Sequence, residues 1–182
     1  MNSLYLGLVH YPVVNKQKEI VTTSITNLDI HDISRSCRTF GVEEFFIINP
    51  LPTQKELLLR ILKFWQGEIG VKYNPLRAEA LRLVAYAQDI RSVTEMINKQ
   101  EGVDPIIVTT SAASHPNSVG YNEIRKVKEP VLLLLGTGNG LAQIIHDSAD
   151  YILEAIAGID NYNHLSVRSA AAIVLERLTS EK

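Results

Sequence analysis

The chain has 182 residues, a formal net charge of −2, 46% hydrophobic and 21% charged residues, the size and balance of one globular domain spanning residues 1–182. The small net charge argues against a strong non-specific polyanion binder, and the single Cys37 excludes an internal disulfide and reads as a buried thiol of a reducing cytoplasm. No stretch is apolar for long enough to cross a membrane and no basic-then-apolar export signal opens the chain, so a cytoplasmic location without a membrane partner is the expectation.

Taken in chain order, residues 4–13 are rich in strand formers. Residues 30–40 have helical spacing, with Ile30, Ile33, Cys37 and Phe40 on one face and Gly41 suited to the helix end. Residues 43–49 read as a short strand closed by Pro50, and residues 55–65 as a helix with Leu58, Leu59, Ile61, Leu62 and Trp65 apolar. Two glycines and a proline mark residues 66–75 as a loop, followed by helices over 76–87 and 93–100. Residues 105–110 form a strand, then a polar loop runs through His115, Pro116 and Asn117. A strand over 131–135, a helical segment over 141–148, an extended stretch over 151–156 and a final helix over 165–178 complete the chain. Strands alternating with helices predict an α/β domain with a mainly parallel sheet and helices on both faces.

The most informative segment is LLLLGTGNGL, residues 132–141. Its leucines suit a strand buried on both faces of a parallel sheet, and Gly136, Gly138 and Gly140 permit a sharp turn and close approach to a ligand. In open α/β sheets ligands sit at the carboxyl ends of such strands. A dinucleotide site fits poorly, because Leu141 stands where the third glycine belongs and the motif lies in the last third of the chain. A Walker loop is excluded because no Lys-Ser or Lys-Thr pair follows. Two further polar segments lie at expected strand ends. One is TTSAASHPN, residues 109–117; the other is residues 22–35, which packs Asn27, Asp29, His31, Asp32 and Arg35 together. An arginine held by a neighbouring carboxylate suits binding of a phosphate or a hydroxyl. Between Lys55 and Arg91 seven basic residues face four acidic ones, a local patch that could meet phosphates. No Cys/His spacing suggests a metal, and no nucleophile elbow is present.

Together these segments resemble the SPOUT superfamily of knotted RNA methyltransferases, over nearly the whole chain. The ribose-methylating branch opens with Asn-x-Gly-Asn-x-x-Arg, five residues before Phe-Gly-Val. Arg35 falls on the family arginine, Asp29, His31 and Asp32 replace the Asn, Gly and Asn, and Asn27 lies two residues upstream. Gly136 and Gly140-Leu141 match the ends of the family's Gly-x-Glu-x-x-Gly-Leu, one residue shorter and without the glutamate. Residues 164–168 (HLSVR) and the following alanines align with the third motif, Ser166 replacing its asparagine.

The resemblance implies a C-terminal trefoil knot, a homodimer and bound S-adenosylmethionine. It implies cofactor contacts from Thr110, Ser111, Gly136, Thr137, Gly138, Gly140, Ile156, Ile159, Leu165 and Ser166, with Ile156, Ile159 and Leu165 sandwiching the adenine. It also implies a tRNA or rRNA substrate engaged by Arg35, with Asp32 or Asn27 orienting it. Methylation of ribose or of a base both stand open. A protein that kept the fold and binds RNA or S-adenosylmethionine without turnover is the competing expectation, because the motif glutamate and asparagine are absent.

Overall fold

A computed structural model describes residues 3–160 and 162–180. In chain order the elements are β1 (Leu4–Val9), β2 (Val13–Val14), β3 (Ile20–Val21), α1 (Asn27–Thr39), β4 (Glu44–Ile48), α2 (Pro52–Gln66), α3 (Glu68–Tyr73) and α4 (Pro75–Leu81). Then follow β5 (Val84–Ala87), α5 (Ile90–Glu101), β6 (Ile106–Thr109), α6 (Tyr121–Arg125), β7 (Val131–Gly136), α7 (Gln143–Asp147), β8 (Tyr151–Ile152) and α8 (Val167–Thr179). Six strands form one sheet in the order β5-β4-β1-β7-β6-β8, and every pairing in it is parallel. β2 and β3 make a separate antiparallel ribbon.

The central pair explains the leucine runs. β1 and β7 lie side by side from Leu4↔Val131 to Val9↔Gly136, and their side chains alternate between two apolar layers. Leu4, Leu6, Leu8, Val131, Leu133 and Leu135 pack with α1, α2, α6 and α8, whereas Tyr5, Val9, Leu132 and Leu134 pack with α5 and α7. Both faces are therefore covered, as expected of a parallel sheet. Gly7 is needed in the middle of β1, where an added Cβ would come within 2.7 Å of Leu134 Cδ2 and 2.9 Å of Ile48 Cδ1. Three of the longer helices begin on side-chain caps, Thr26 accepting from the Asp29 amide, Asp89 from Ser92 and Ser166 from Ser169, whereas α2 begins on Pro52 without one. Gly102, at φ 76°, ends α5 in the left-handed conformation.

Several expectations require correction. Residues 66–75 are not a loop. Gly70 is helical and lets α3 fold back on the end of α2, where a Cβ would meet Phe64 O at 2.5 Å. Residues 76–87 do not form one helix: α4 stops at Leu81, amides of Arg82 and Leu83 turn back onto Glu79 and Ala80, and Val84–Ala87 joins the sheet beside β4. No glycine or proline marks that turn; pairing with β4 decides it. Residues 10–13 leave the first strand. The helix expected over 141–148 shrinks to α7, the extended stretch over 151–156 to β8, and α6 is an additional short helix.

Leu133 is fully buried between β1, β6 and the α8 layer. Leu133→Ala should cost about 2–5 kcal/mol of unfolding free energy. Urea denaturation showing a loss below about 1 kcal/mol would contradict this placement.

Candidate active site

From the sheet centre the chain leaves β1 toward β4 and β5, and leaves β7 in the opposite direction, past β6, to β8. Such a reversal opens a crevice outside the carboxyl ends of the strands. Into it run His10 after β1, residues 22–26 before α1, and the loops that follow β6, β7 and β8.

One side of this edge is a cleft of about 420 Å³ of empty space, open to solvent. The β6 loop contributes Thr110, Ser111 and Ala112, and the segment after β8 contributes Leu153, Glu154 and Ile156. Asn163, Leu165, Ala170 and Val174 close it from the side of α8. Its walls are fixed by short polar links. Thr110 donates both its amide and its hydroxyl to Leu134 O, each at 3.1 Å, and Asn163 Nδ2 donates to Ala112 O at 2.9 Å. Thr110, Ser111, Ile156 and Leu165, expected at the cofactor, therefore meet in one place.

The glycine loop does not line that cleft. Asn139 donates its amide to Val14 O, Val14 donates to Gly140 O and Ala142 to Pro12 O, so the loop is stitched to β2. Gly138 has φ 62°, and a Cβ there would lie 3.0 Å from Val14 O. Gly136 could not carry a side chain without meeting the Leu141 amide nitrogen at 2.6 Å. Gly136 and Gly138 are thus required by the loop's own backbone. Ser166 caps α8, and Ile159, expected to sandwich a ring, stands fully in solvent.

Thr137 belongs to a half-buried relay. Its hydroxyl donates to Val9 O at 3.0 Å, so in its bond with Thr23 the Thr23 hydroxyl is the donor. Thr23 then accepts from His10 Nδ1 at 3.0 Å. This assigns the Nδ1–H tautomer of His10 and leaves Nε2 an acceptor, buried without a hydrogen-bond partner among the described residues. Burial pushes the His10 pKa down to about 4, against an opposing pull from the Asp29 carboxylate.

A second cluster joins the two ends of the chain. Arg168, in the first turn of α8, donates Nη1 to Asp29 Oδ1 at 2.7 Å, and its Nε lies 3.5 Å from Asp32 Oδ2. Asp29 is buried and also accepts from the Thr26 hydroxyl at 2.7 Å, whereas Asp32 is half exposed. This corrects the expected Arg35–Asp32 pair: the nearer arginine for Asp32 comes from the opposite end of the sequence. Arg35 is exposed on the outer side of α1, and Asn27 is exposed in its first turn. Sequence reasoning passed over Arg168 and His10. The signal for Arg168 was its charge inside an otherwise small and apolar motif; for His10 it was a histidine closing a fully apolar strand.

Comparison with known proteins agrees with this architecture. A family model described as "SAM-dependent RNA methyltransferase" matches residues 3–180. An uncharacterized protein of Aquifex aeolicus is 40% identical over 98% of this chain and 89% of its own length. A "tRNA (guanine-N(1)-)-methyltransferase" of Nitratidesulfovibrio vulgaris is 44% identical over 98% of this chain but only 42% of itself, so the chain spans less than half of that relative. The crystal structure of a TrmH/SpoU tRNA modifying enzyme from Aquifex aeolicus superposes with a TM-score of 0.57 at 16% identity, covering 98% of this chain and 75% of that one; at this identity it speaks for the fold alone.

Two outcomes follow from the geometry. Arg168→Ala should lower stability by about 1–3 kcal/mol, because Asp29 loses a charged donor. Arg35→Ala should stay within about 0.5 kcal/mol. A double-mutant cycle between Arg168 and Asp29 that shows no coupling would contradict the pair. The second outcome concerns pH. His10 is neutral when folded, so below pH 6.5 the unfolded chain takes up a proton that the folded protein refuses until about pH 4. Stability should therefore fall as pH drops through that window; His31 and His146, lowered in the same direction mainly by desolvation, add to the slope. His10→Gln should flatten the dependence, and an unchanged slope would contradict a buried neutral imidazole.

Proposed function

The chain belongs to the family of S-adenosylmethionine-dependent RNA methyltransferases, and on that premise we propose that it methylates a nucleotide of tRNA or rRNA, using the cleft between the β6 and β8 loops for the methyl donor. The observation that carries this reading is the meeting of Thr110, Ser111, Ile156 and Leu165 in one cleft beside the turn of α8 that holds Arg168. tRNA is favoured by the name of the Nitratidesulfovibrio relative, although that name belongs to a protein more than twice as long.

The cleft fits the cofactor chemically. Leu153, Ile156, Leu165 and Val174 offer apolar faces for an adenine ring, the β6 loop offers backbone groups for its edge, and Glu154 offers a carboxylate for a ribose diol or an ammonium. When bound, S-adenosylmethionine supplies a methyl group activated by its sulfonium charge. The protein's part is to align an RNA oxygen or nitrogen with that methyl and to let its proton leave. Arg35, exposed on α1, is placed to engage the RNA phosphate or the accepting hydroxyl. Asn27 stands on the same helix to orient it, while Asp32, half exposed and within 3.5 Å of Arg168, helps tie that helix to α8. Arg168 has a positioning role: by clamping Asp29 it sets α1, with Arg35, against the wall of the cleft.

Further parts of the reading are a C-terminal trefoil knot, a homodimer and work in the cytoplasm. The knot is supported by the β7 loop being tied to β2 while α8 returns to α1. The dimer is supported by Leu28 and Leu165, both exposed and flanking the Asp29–Arg168 pair in sequence, and by the solvent-facing Ile159. Among the described residues no helix is long and apolar enough to cross a membrane.

The test is direct. The protein should bind S-adenosylmethionine and not NAD in calorimetry, and Ala170→Phe, which fills the cleft, should abolish binding with the circular dichroism spectrum unchanged. With isotope-labelled donor and unmodified tRNA or rRNA, methyl should appear in the RNA, and mass spectrometry should place it on ribose or base. Arg35→Ala should leave donor affinity nearly unchanged while transfer falls roughly 10²–10⁴-fold. Donor binding without transfer to any tRNA or rRNA would instead mark a binding protein that kept the fold.

A further inference from the structure

Resting on the RNA reading above, we infer that α2, α3 and α4 present a second RNA contact, an aromatic platform on which unpaired bases near the methylated nucleotide stack. Three rings meet there. Phe64 and Trp65 at the end of α2 lie 5.3 Å apart at 88°, and Tyr73 at the end of α3 lies 6.3 Å from Trp65. Trp65 packs against the core edge, but Phe64 is 51% and Tyr73 77% exposed. Neither exposed ring is explained by the packing of the sheet, yet the contact with Trp65 sets both at defined angles. Rings held this way can receive a base without losing much side-chain freedom, and any base can stack on them.

The surroundings are cationic and lead to the proposed active site. The Arg77 guanidinium lies over the Trp65 ring at 5.0 Å, and His31 meets the same ring edge-on at 5.1 Å. His31 sits one turn before Arg35 on α1, so the platform is continuous with the helix assigned to catalysis. Arg77 and Arg35 are both near enough to hold down the proton affinity of His31, after the larger effect of desolvation. Arg60, Lys63 and Lys72 are exposed on the same helices, and of the acidic residues there Glu79 is occupied by Arg38 at 2.6 Å. Cations interleaved with exposed rings complement a single-stranded polyanion. An apolar protein partner would leave the lysines and arginines unmatched.

The experiment uses the whole chain with two probes, unfractionated tRNA and a single-stranded oligouridylate. Both aromatic positions are exposed, so the Phe64→Ala/Tyr73→Ala protein should fold as the parent does. Its RNA dissociation constants should rise about tenfold or more, with S-adenosylmethionine affinity and oligomeric state unchanged, and Phe64→Trp/Tyr73→Trp should restore binding. Lys63→Ala/Lys72→Ala should flatten the salt dependence of RNA binding. Equal RNA affinity of parent and Phe64→Ala/Tyr73→Ala would overturn the platform and leave the methyltransferase reading standing. A parent that binds neither probe would overturn that reading as well. Dissociation of an oligomer by the same substitutions would show this face to be a protein interface and would also overturn the proposal.

Discussion

The pairing of β1 with β7 at the middle of the sheet is the constraint on which the rest depends. Both strands are covered on both faces, so their side chains are apolar but for the Tyr5 hydroxyl, which reaches Glu101 Oε1. Polar groups are therefore displaced to the strand ends. At the carboxyl end, where the chain reverses direction between β1 and β7, they accumulate: His10, Thr137, Thr110 and the segment before α1. The chemistry sits where it does because the core leaves it nowhere else.

What binds the parts of that edge together is electrostatic. The first turns of α1 and α8 are 139 residues apart in sequence and are joined by one arginine between a buried and a half-exposed aspartate. Removing one partner of such a pair costs more than the pair contributes, because it strands the other charge. The same contact sets α8, and so the wall of the cleft, against the helix that bears Arg35. The His10–Thr23–Thr137 relay performs a neighbouring task with neutral groups, fastening the glycine loop to the end of β1 and to the segment that leads into α1.

Local patterns carried the fold to a large extent. The leucine run of β7, the apolar spacing of α1 and the alternation of elements follow from burial and period alone, and the structure has them. β5 was hidden because Val84–Ala87 continues an apolar helical pattern and no glycine or proline interrupts it; only pairing with β4 makes it a strand. α3 was hidden for the opposite reason, since Gly70 signals close packing there and not a break. At the candidate cleft, Thr110, Ser111, Ile156 and Leu165 follow from the resemblance of their segments to the family motifs, and the fold brings the four together. The partner of Asp29 was not, because no local rule links residue 29 to residue 168. Gly136 and Gly138 are required by the loop's own backbone, through Leu141 and Val14, a tertiary demand that the sequence pattern does not display.

The central claim is that the methyl donor sits between the β6 loop, the β8 segment and α8. Hydrogen exchange of the chain with and without S-adenosylmethionine addresses it most directly. The account predicts slowed exchange at residues 110–113, 153–157 and 163–170, with β2 and β3 unaffected. Protection confined to residues 136–140 and the β2–β3 ribbon would place the donor on the other side of the sheet edge and contradict the account.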